Sequence, residues 1–341
     1  MIAFKKYSSI ENTFDKEFMD KIKAEGLDSL QYVVQEKVHG SNCCFVTDGQ
    51  EVQFAKRTGL VEAGEMFYNY EELLEKYRNK IIHLFQRIKE KYTDTKSILV
   101  YGEMFGGKYP HPDVKNDSKV MNIQKGVFYS PVHEFYGFDI YVYGAERGRY
   151  FSVDETNTFF EAEKFYYAKT LFKGTLSECL EYPDAFQSHI AEWLGLPPVE
   201  NNICEGIVIR PIEPVYLENG TRLLLKSKNS KFAEKKAVKK RQPNLFVEPT
   251  YSEALNKQLV VTEEYVTENR LNNVISHIGQ ISIPKELGKL IGLFSKDILE
   301  DYLKEHGSNY ALLEKSEQKI LNRHVNQQAS NLIKKVYTSS I

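Results

Sequence analysis

Strand signals dominate the first two thirds of this chain and fade in the last third, and that shift constrains the fold more than any other feature. Up to about Phe232 short β-rich segments dominate; beyond Thr250 the strand signals fade and the spacing becomes helical. Residues 32–38 are β-rich, and segments 43–47 and 51–56 flank Asp48-Gly49, a strong hairpin turn signal. Tyr70, Leu73, Leu74, Tyr77, Ile81, Leu84, Phe85 and Ile88 then recur at helical spacing with charges between them, which predicts an amphipathic helix. Further strands are predicted over 98–101, 135–142, 206–209 and 223–226. Strands interrupted by one long helix and several irregular stretches predict an α+β domain with antiparallel sheets. Residues 106–130, with Gly, Pro, Lys and Asp and little periodicity, read as a long surface loop, which in a compact domain is often functional. Lys235, Lys236, Lys239, Lys240 and Arg241 lie close together with Pro243 and Pro249 after them, as in a basic linker. Segments 269–281, 284–294 and 296–306 predict helices, with Pro284 suited to a first turn where its missing N–H costs nothing. The expected organisation is therefore an α+β domain over 1–243 and a small all-helical domain over 244–341.

Composition narrows the classes. Lys and Arg number 45 against 47 Asp and Glu in 341 residues, a net charge of −2. That excludes a histone-like, uniformly basic nucleic-acid binder but leaves room for a local basic patch. The 22 Tyr and 20 Phe suit a large core, base-stacking surfaces, or both. Cys43, Cys44, Cys179 and Cys204 form no C-x-x-C pair, so zinc and thioredoxin-like chemistry lack support and reduced thiols are expected. No apolar run is long enough to span a bilayer and no secretory leader is visible. The expectation is a soluble cytoplasmic protein (in the host cytoplasm if viral), by default a monomer.

Three signals carry chemistry. Lys37-Val38-His39-Gly40-Ser41-Asn42 puts a lysine at a strand end before a glycine turn. A lysine nucleophile must be neutral to attack, yet its ordinary pKa is about 10.4, so burial or neighbouring cations must lower it. Lys226-Ser227-Lys228 places two ammonium groups on one face of an extended segment, where a polyphosphate is the natural guest. Glu103, Asp139 and Glu205 stand in or beside apolar strands, where a carboxylate is costly to bury unless paired or bound to metal. Hard carboxylate oxygens suit Mg²⁺ where phosphates complete the shell. Taken singly, each signal also fits an exposed strand end.

Taken in order, they resemble the covalent nucleotidyltransferases, the superfamily of ATP-dependent ligases and RNA capping enzymes. Lys37-Val38-His39-Gly40 resembles motif I, Tyr101-Gly102-Glu103 motif III, and Phe135-Tyr136-Gly137-Phe138-Asp139 motif IIIa. Glu205-Gly206-Ile207-Val208-Ile209 resembles motif IV and Leu225-Lys226-Ser227-Lys228 motif V. The segment Phe4-Lys5-Lys6-Tyr7-Ser8-Ser9-Ile10-Glu11-Asn12, with Ala55-Lys56-Arg57-Thr58-Gly59, narrows the resemblance to the bacteriophage RNA ligase 2 family, which includes the kinetoplastid RNA-editing ligases. So do Lys226-Ser227-Lys228-Asn229-Ser230-Lys231-Phe232 and Asn269-Arg270-Leu271-Asn272-Asn273-Val274-Ile275-Ser276. The likeness is weakest over 144–202 and after about Lys304.

That resemblance implies a nucleotidyltransferase (ATP-grasp-like ligase adenylation) domain ahead of the helical one. It implies an ATP-dependent RNA ligase that uses Mg²⁺ or Mn²⁺ and joins 3′-OH and 5′-phosphate ends, nicks in duplex RNA above all, through lysyl-AMP and RNA-adenylate intermediates. Lys37 would be the nucleophile. Lys226 and Lys228 would hold the α-phosphate, Glu205 would place the metal or nucleotide, Glu103 would accept from the ribose, and Phe138 would stack on adenine. Glu36 is a further nucleotide-side candidate; His39, Asn42 and Arg57 are candidates for phosphate and RNA-end contacts. Lys231, Lys235, Lys236 and Arg270 are candidates for the RNA backbone. Asp139 stands equally as a structural residue or a second metal ligand, and Asp297 as an RNA-domain or packing residue. A capping-type guanylyltransferase, which would normally carry an OB-fold where helices are predicted here, and a catalytically silent RNA-binding module are the alternatives.

Overall fold

The computed structural model describes residues 3–235, 251–279, 281 and 285–338. Lys236, Pro284, the rest of the basic run and the expected boundary at 243/244 lie outside them. Two compact units emerge, Met1–Lys231 and Phe232–Ile341.

In chain order the first unit runs β1 (Glu11–Asn12), α1 (Lys16–Ala24), β2 (Tyr32–Lys37), β3 (Ser41–Thr47), β4 (Val52–Lys56), β5 (Gly59–Leu60), α2 (Tyr70–Lys91), β6 (Ser97–Phe105), β7 (Glu134–Tyr143), β8 (Gly148–Tyr150), α3 (Val153–Ala162), β9 (Tyr166–Tyr167), β10 (Thr170–Gly174), α4 (Leu176–Leu180), α5 (Ile190–Trp193), β11 (Gly206–Pro211) and β12 (Leu225–Lys228). One sheet has the order β1-β12-β11-β2-β10, and the other β5-β4-β3-β6-β7-β8 with β9 beside β7. Pairing is antiparallel except for β1 with β12 and β7 with β9. This is the α+β, antiparallel-rich architecture expected from the sequence.

Three cores follow from the period-2 alternation of the strands. The outer face of the larger sheet (Phe45, Val100, Phe135, Ile140) packs on the apolar stripe of α2, including Tyr77, Ile81 and Phe85. The smaller sheet packs Val34, Ile207 and Leu225 on Phe18 and Ile22 of α1 and Leu176 of α4. Cys44, Leu99, Tyr101 and Tyr141, from the other face of the larger sheet, meet Tyr7, Tyr150 and Leu224. All four cysteines are buried and free.

Two expectations need correcting here. Residues 106–130 carry no helix or strand, and none of 110–122 is buried, as a surface loop requires, but the ends of the segment are core: Tyr109, Ile123, Val127 and Tyr129 are buried, because aromatic and aliphatic side chains without periodicity still seek the core. The last strand covers 225–228 rather than 223–226, since its register is set by β11, with Gly206 opposite Lys228 and Ile209 opposite Leu225. The two motif lysines therefore lie inside the strand.

The second unit contains α6 (Glu253–Glu264), α7 (Glu268–Ile278), α8 (Leu287–Ala311) and α9 (Lys315–Thr338) around a core that includes Leu255, Leu271, Phe294, Ile298, Tyr302, Leu321 and Val325. The two helices expected over 284–294 and 296–306 are one helix, because Phe294-Ser295-Lys296 offers no breaker; His306, at φ −129°, marks its kink. Among the described residues no helix is long and apolar enough to cross a membrane.

Candidate active site

Strand β2 delivers Lys37 at its last position, and the chain turns through Gly40 into β3. A side chain at residue 40 has no room: a Cβ there would lie 2.3 Å from the Met104 carbonyl oxygen and 2.9 Å from Cγ of Glu103. The turn is thus pressed against β6 at Glu103 by the lack of a side chain. A second glycine organises the other wall. Gly206 pairs with Lys37 on one side and Lys228 on the other. Its φ of +154° and a Cβ position 2.0 Å from the Ser227 carbonyl oxygen admit only glycine. Glu205, immediately before it, reaches between the two lysines. Lys37 Nζ donates to Glu205 Oε2 at 2.7 Å, and Lys228 Nζ lies 3.0 Å from Oε1. His39 Nδ1 is 3.7 Å from Oε2.

The Glu205 side chain is 1% exposed, against 18% for Lys37 and 15% for Lys228. Burial alone would raise its pKa, but the ammonium groups of Lys37 and Lys228, with His39, outweigh it and hold the carboxyl well below the usual range. Lys226 shares a strand face with Lys228 two residues on and is half-buried.

The facing wall comes from the larger sheet. Asn42 on β3 lies in register with Glu103 on β6, and its side chain hydrogen-bonds the Glu103 carboxylate. Burial pushes Glu103 up to about 7, against the pull of Lys37, Arg57 and Asn42 and with the repulsion of Glu205. Arg57 is half-buried just beyond the end of β4. Phe138 owes its place to an irregularity: Tyr101 pairs with Asp139 and Gly102 with Gly137, so Phe138 is the extra residue of a β-bulge. A bulge re-aims a side chain and puts two successive residues against one partner. The half-buried Phe138 ring packs on Tyr7 with centroids 5.0 Å apart.

Lys37, His39, Glu205 and Lys228 thus form one cluster, and Glu103, Asn42 and Arg57 a second that acts on it electrostatically. Other predicted residues are placed differently. Glu36 is buried and faces away from Lys37 along the strand; Ser188 Oγ donates to its Oε1 at 2.6 Å and the His189 backbone N–H to its Oε2 at 3.0 Å. The His189 ring, 3.3 Å from the same oxygen, has its pKa raised by that contact against the effect of burial. Asp139 takes the structural alternative, and its assignment as a metal ligand is corrected. It is fully buried, its Oδ2 accepts from Arg222 at 2.6 Å and from Tyr7 at 2.9 Å, and its Oδ1 accepts from Arg210 at 3.2 Å. Both oxygens are therefore taken by strong donors.

Arg270 as an RNA contact is corrected too. It is 2% exposed, and its Nη1 donates to Asp297 at 2.7 Å and to Asp301 at 2.9 Å, tying α7 to α8. Asp297 is thereby a packing partner. Lys231 is exposed and donates to the Gly126 carbonyl oxygen, and Lys235 pairs with Glu305 at 2.8 Å. Sequence reasoning missed Tyr129, whose hydroxyl accepts from the His39 backbone N–H at 3.1 Å, and also Ser188, His189, Arg210 and Arg222. Arg210 left a signal, since an arginine directly after Ile207-Val208-Ile209 must find a buried anion. Ser188 and His189 left none.

The chain is similar to known proteins. The RNA ligase family model matches residues 30–228, and the T4 RNA ligase 2 C-terminal model matches residues 249–331. Mitochondrial RNA-editing ligase 1 of Trypanosoma brucei brucei is 30% identical over 342 residues, covering 84% of this chain and 73% of that ligase. RNA-editing ligase 2 from strain 927/4 GUTat10.1 of the same organism is 27% identical, covering 89% and 83%. A Naegleria gruberi RNA ligase variant solved with AMP and Mn is similar at 16% identity and a TM-score of 0.43; the match covers 67% of this chain and 57% of the solved one.

Proposed function

The chain belongs to the RNA ligase family, and from that premise we propose that it joins RNA ends bearing a 3′-OH and a 5′-phosphate, nicks in duplex RNA above all, using ATP and acting as a monomer. The observation that carries the reading is the Glu205 carboxylate bridged by Lys37 and Lys228. It brings the proposed nucleophile, the proposed phosphate-binding cation and a carboxylate into one cluster.

In the first step Lys37 Nζ, deprotonated to the amine, attacks the α-phosphorus of ATP; an N–P bond forms, the bond to pyrophosphate breaks, and Nζ gives up a second proton and keeps one N–H. In the second, an oxygen of the RNA 5′-phosphate attacks that phosphorus, which releases Lys37 and leaves AMP on the RNA end. In the third, the 3′-OH attacks the 5′-phosphorus and AMP departs. Each step is a displacement at phosphorus in which positioning and charge neutralisation supply the catalysis. Lys226 and Lys228 bind the non-bridging oxygens. Glu103 accepts a hydrogen bond from the ribose, with Asn42 keeping its carboxylate in place, and Phe138 stacks on adenine. His39 and Arg57 serve the phosphates and the RNA end.

Among the described residues no group of three or more His, Cys, Asp or Glu side chains could hold a metal ion. The hard oxygens of Glu205 nevertheless fit Mg²⁺ or Mn²⁺ that shares its shell with nucleotide phosphates. Glu205 would hold the ion: an adenylylated Lys37 no longer brings an ammonium to Oε2. When bound, the ion neutralises charge on the phosphate oxygens.

The test is a nicked RNA duplex with a labelled 5′-phosphate at the nick. Sealing with ATP and Mg²⁺, and none with GTP, supports the reading. Protein that accepts AMP but leaves every RNA nick open points to a different acceptor and overturns it.

A further inference from the structure

Lined by none of the residues of the Lys37 cluster, a cavity of about 390 Å³ lies in the α+β unit. Lys80 of α2, Lys164, Lys169, Tyr166 and Tyr167 of β9, and Trp193 at the end of α5 line it, with Glu161 the one carboxylate among them. Three lysines line this one cavity in a chain whose net charge is −2, and two of their ammonium groups, those of Lys80 and Lys169, stand over lining aromatic rings. The volume falls in the range of about 300–1,000 Å³ typical of small-ligand sites.

The walls are held in place. Lys164 sits in the left-handed region at φ +54°, unusual for a non-glycine residue, and its carbonyl oxygen accepts from Lys80 Nζ at 2.9 Å. Lys80 also lies 5.7 Å from the centroid of the Phe165 ring. Lys169 Nζ stands 4.8 Å over the Trp193 ring. Trp193 stacks on His189 with centroids 5.6 Å apart and planes at 13°, and His189 holds Glu36, the neighbour of Lys37. Tyr136 forms another wall; on β7 it lies opposite Glu103 on one side and Tyr166 on the other. The pocket is therefore tied through two short routes to the two clusters of the reaction centre.

We propose that this pocket is a nucleotide subsite that takes one base and its phosphate from the RNA strand presented for joining. Aromatic side chains offer a stacking surface that every base can use, and lysines beside them meet the backbone phosphate. Neither feature alone selects a nucleotide; together in one cavity of this size they do. Choosing an RNA strand over a free mononucleotide rests on the RNA ligase reading above, which supplies a polynucleotide substrate. Through Trp193, His189 and Glu36 an occupied subsite also steadies the strand that carries Lys37.

Trp193 is the only tryptophan of the chain, so its fluorescence reports on the pocket directly. The full chain is titrated, without ATP and at low salt, with a 5′-phosphorylated RNA oligonucleotide and, separately, with AMP. The expected result is saturable quenching by RNA, with the midpoint raised about tenfold in Lys169→Glu, which places a negative charge against the phosphate. Lys169 is exposed, so the change does not disturb a core. Quenching by AMP that weakens in the same variant keeps the pocket and assigns it to a free nucleotide. Emission unmoved by either probe, or quenching indifferent to Lys169→Glu, overturns the proposal. Wild-type protein that takes no label from α-labelled ATP while RNA still quenches Trp193 defeats the ligase reading and leaves the subsite standing.

Discussion

Two carboxylates in the α+β unit sit between pairs of cations, and the contrast between them separates chemistry from architecture. Glu205 lies between Lys37 and Lys228, and Asp139 between Arg210 and Arg222. At Asp139 every group is sealed: the side chains of Arg210 and Arg222 are 3% and 2% exposed, and Arg222 also lies 3.6 Å over the Tyr150 ring. Burial opposes the charges there, but the paired guanidiniums hold Asp139 below its ordinary range, and Asp139 holds Arg222 above its own. An arginine does not give up its proton in a protein, so this cluster stays charged wherever the protein is folded. It joins β7 of one sheet to β11 of the other and to Tyr7. At Glu205 the cations are lysines with an opening to solvent, and lysine can discharge. The same electrostatic motif is a rivet with arginines and, on the function proposed above, a reaction centre with lysines.

Several substitutions would break or sharpen that contrast. The largest effect is expected at Glu205→Ala, which leaves Lys37 and Lys228 facing each other without an anion. Transfer of AMP to the protein should fall by roughly 10²–10³-fold, while melting changes far less; equal losses in both would erase the distinction. Asp139→Ala should do the reverse in order of magnitude. Stranding two buried guanidiniums costs about 3–5 kcal/mol, a drop in Tm on the order of 10 °C. Calorimetry that finds Asp139→Ala as stable as wild type contradicts the structural role given to it.

Arg270→Ala extends the comparison to the helical unit. Its partners Asp297 and Asp301 are 32% and 33% exposed, so solvent screens the loss to about 1–3 kcal/mol. The expected outcome is earlier melting with AMP transfer to Lys37 retained. An effect of comparable size but opposite sign belongs to Glu103→Gln. A carboxyl raised to about 7 in the folded protein costs stability that is absent below the unfolded value and complete above about 7. The substitution should therefore stabilise by on the order of 2 kcal/mol at pH 8 and hardly at all at pH 4. Denaturant curves at the two pH values measure it; a gain independent of pH would show that the Glu103 charge is not its source.

Much of this arrangement was legible in the sequence where the controlling interactions are local. The Asp48-Gly49 hairpin, with Gly49 at φ +90°, and the α2 stripe from Tyr70 to Ile88 depend on neighbours in the chain, and both appear as expected. Lys37, Glu205 and Lys228 announced themselves as ionisable residues at the ends of apolar strands. What escaped depends on pairing between distant strands. The bulge at Phe138 exists only in the register of β6 and β7, and the fate of Asp139 only once β11 brings Arg210 beside it. Arg270 looked like a backbone contact because its partners lie 27 and 31 residues away. The buried aromatics of 106–130 carry no period, so nothing local marked them as core.

The most direct measurement is incubation with α-labelled ATP and Mg²⁺ in the absence of RNA, followed by a denaturing gel. Label on the wild-type chain and none on Lys37→Ala, with both folded, is the predicted result. Label that persists on Lys37→Ala, or wild-type protein that binds ATP yet takes no label, would contradict the assignment of Lys37 as the nucleophile and the account built on it.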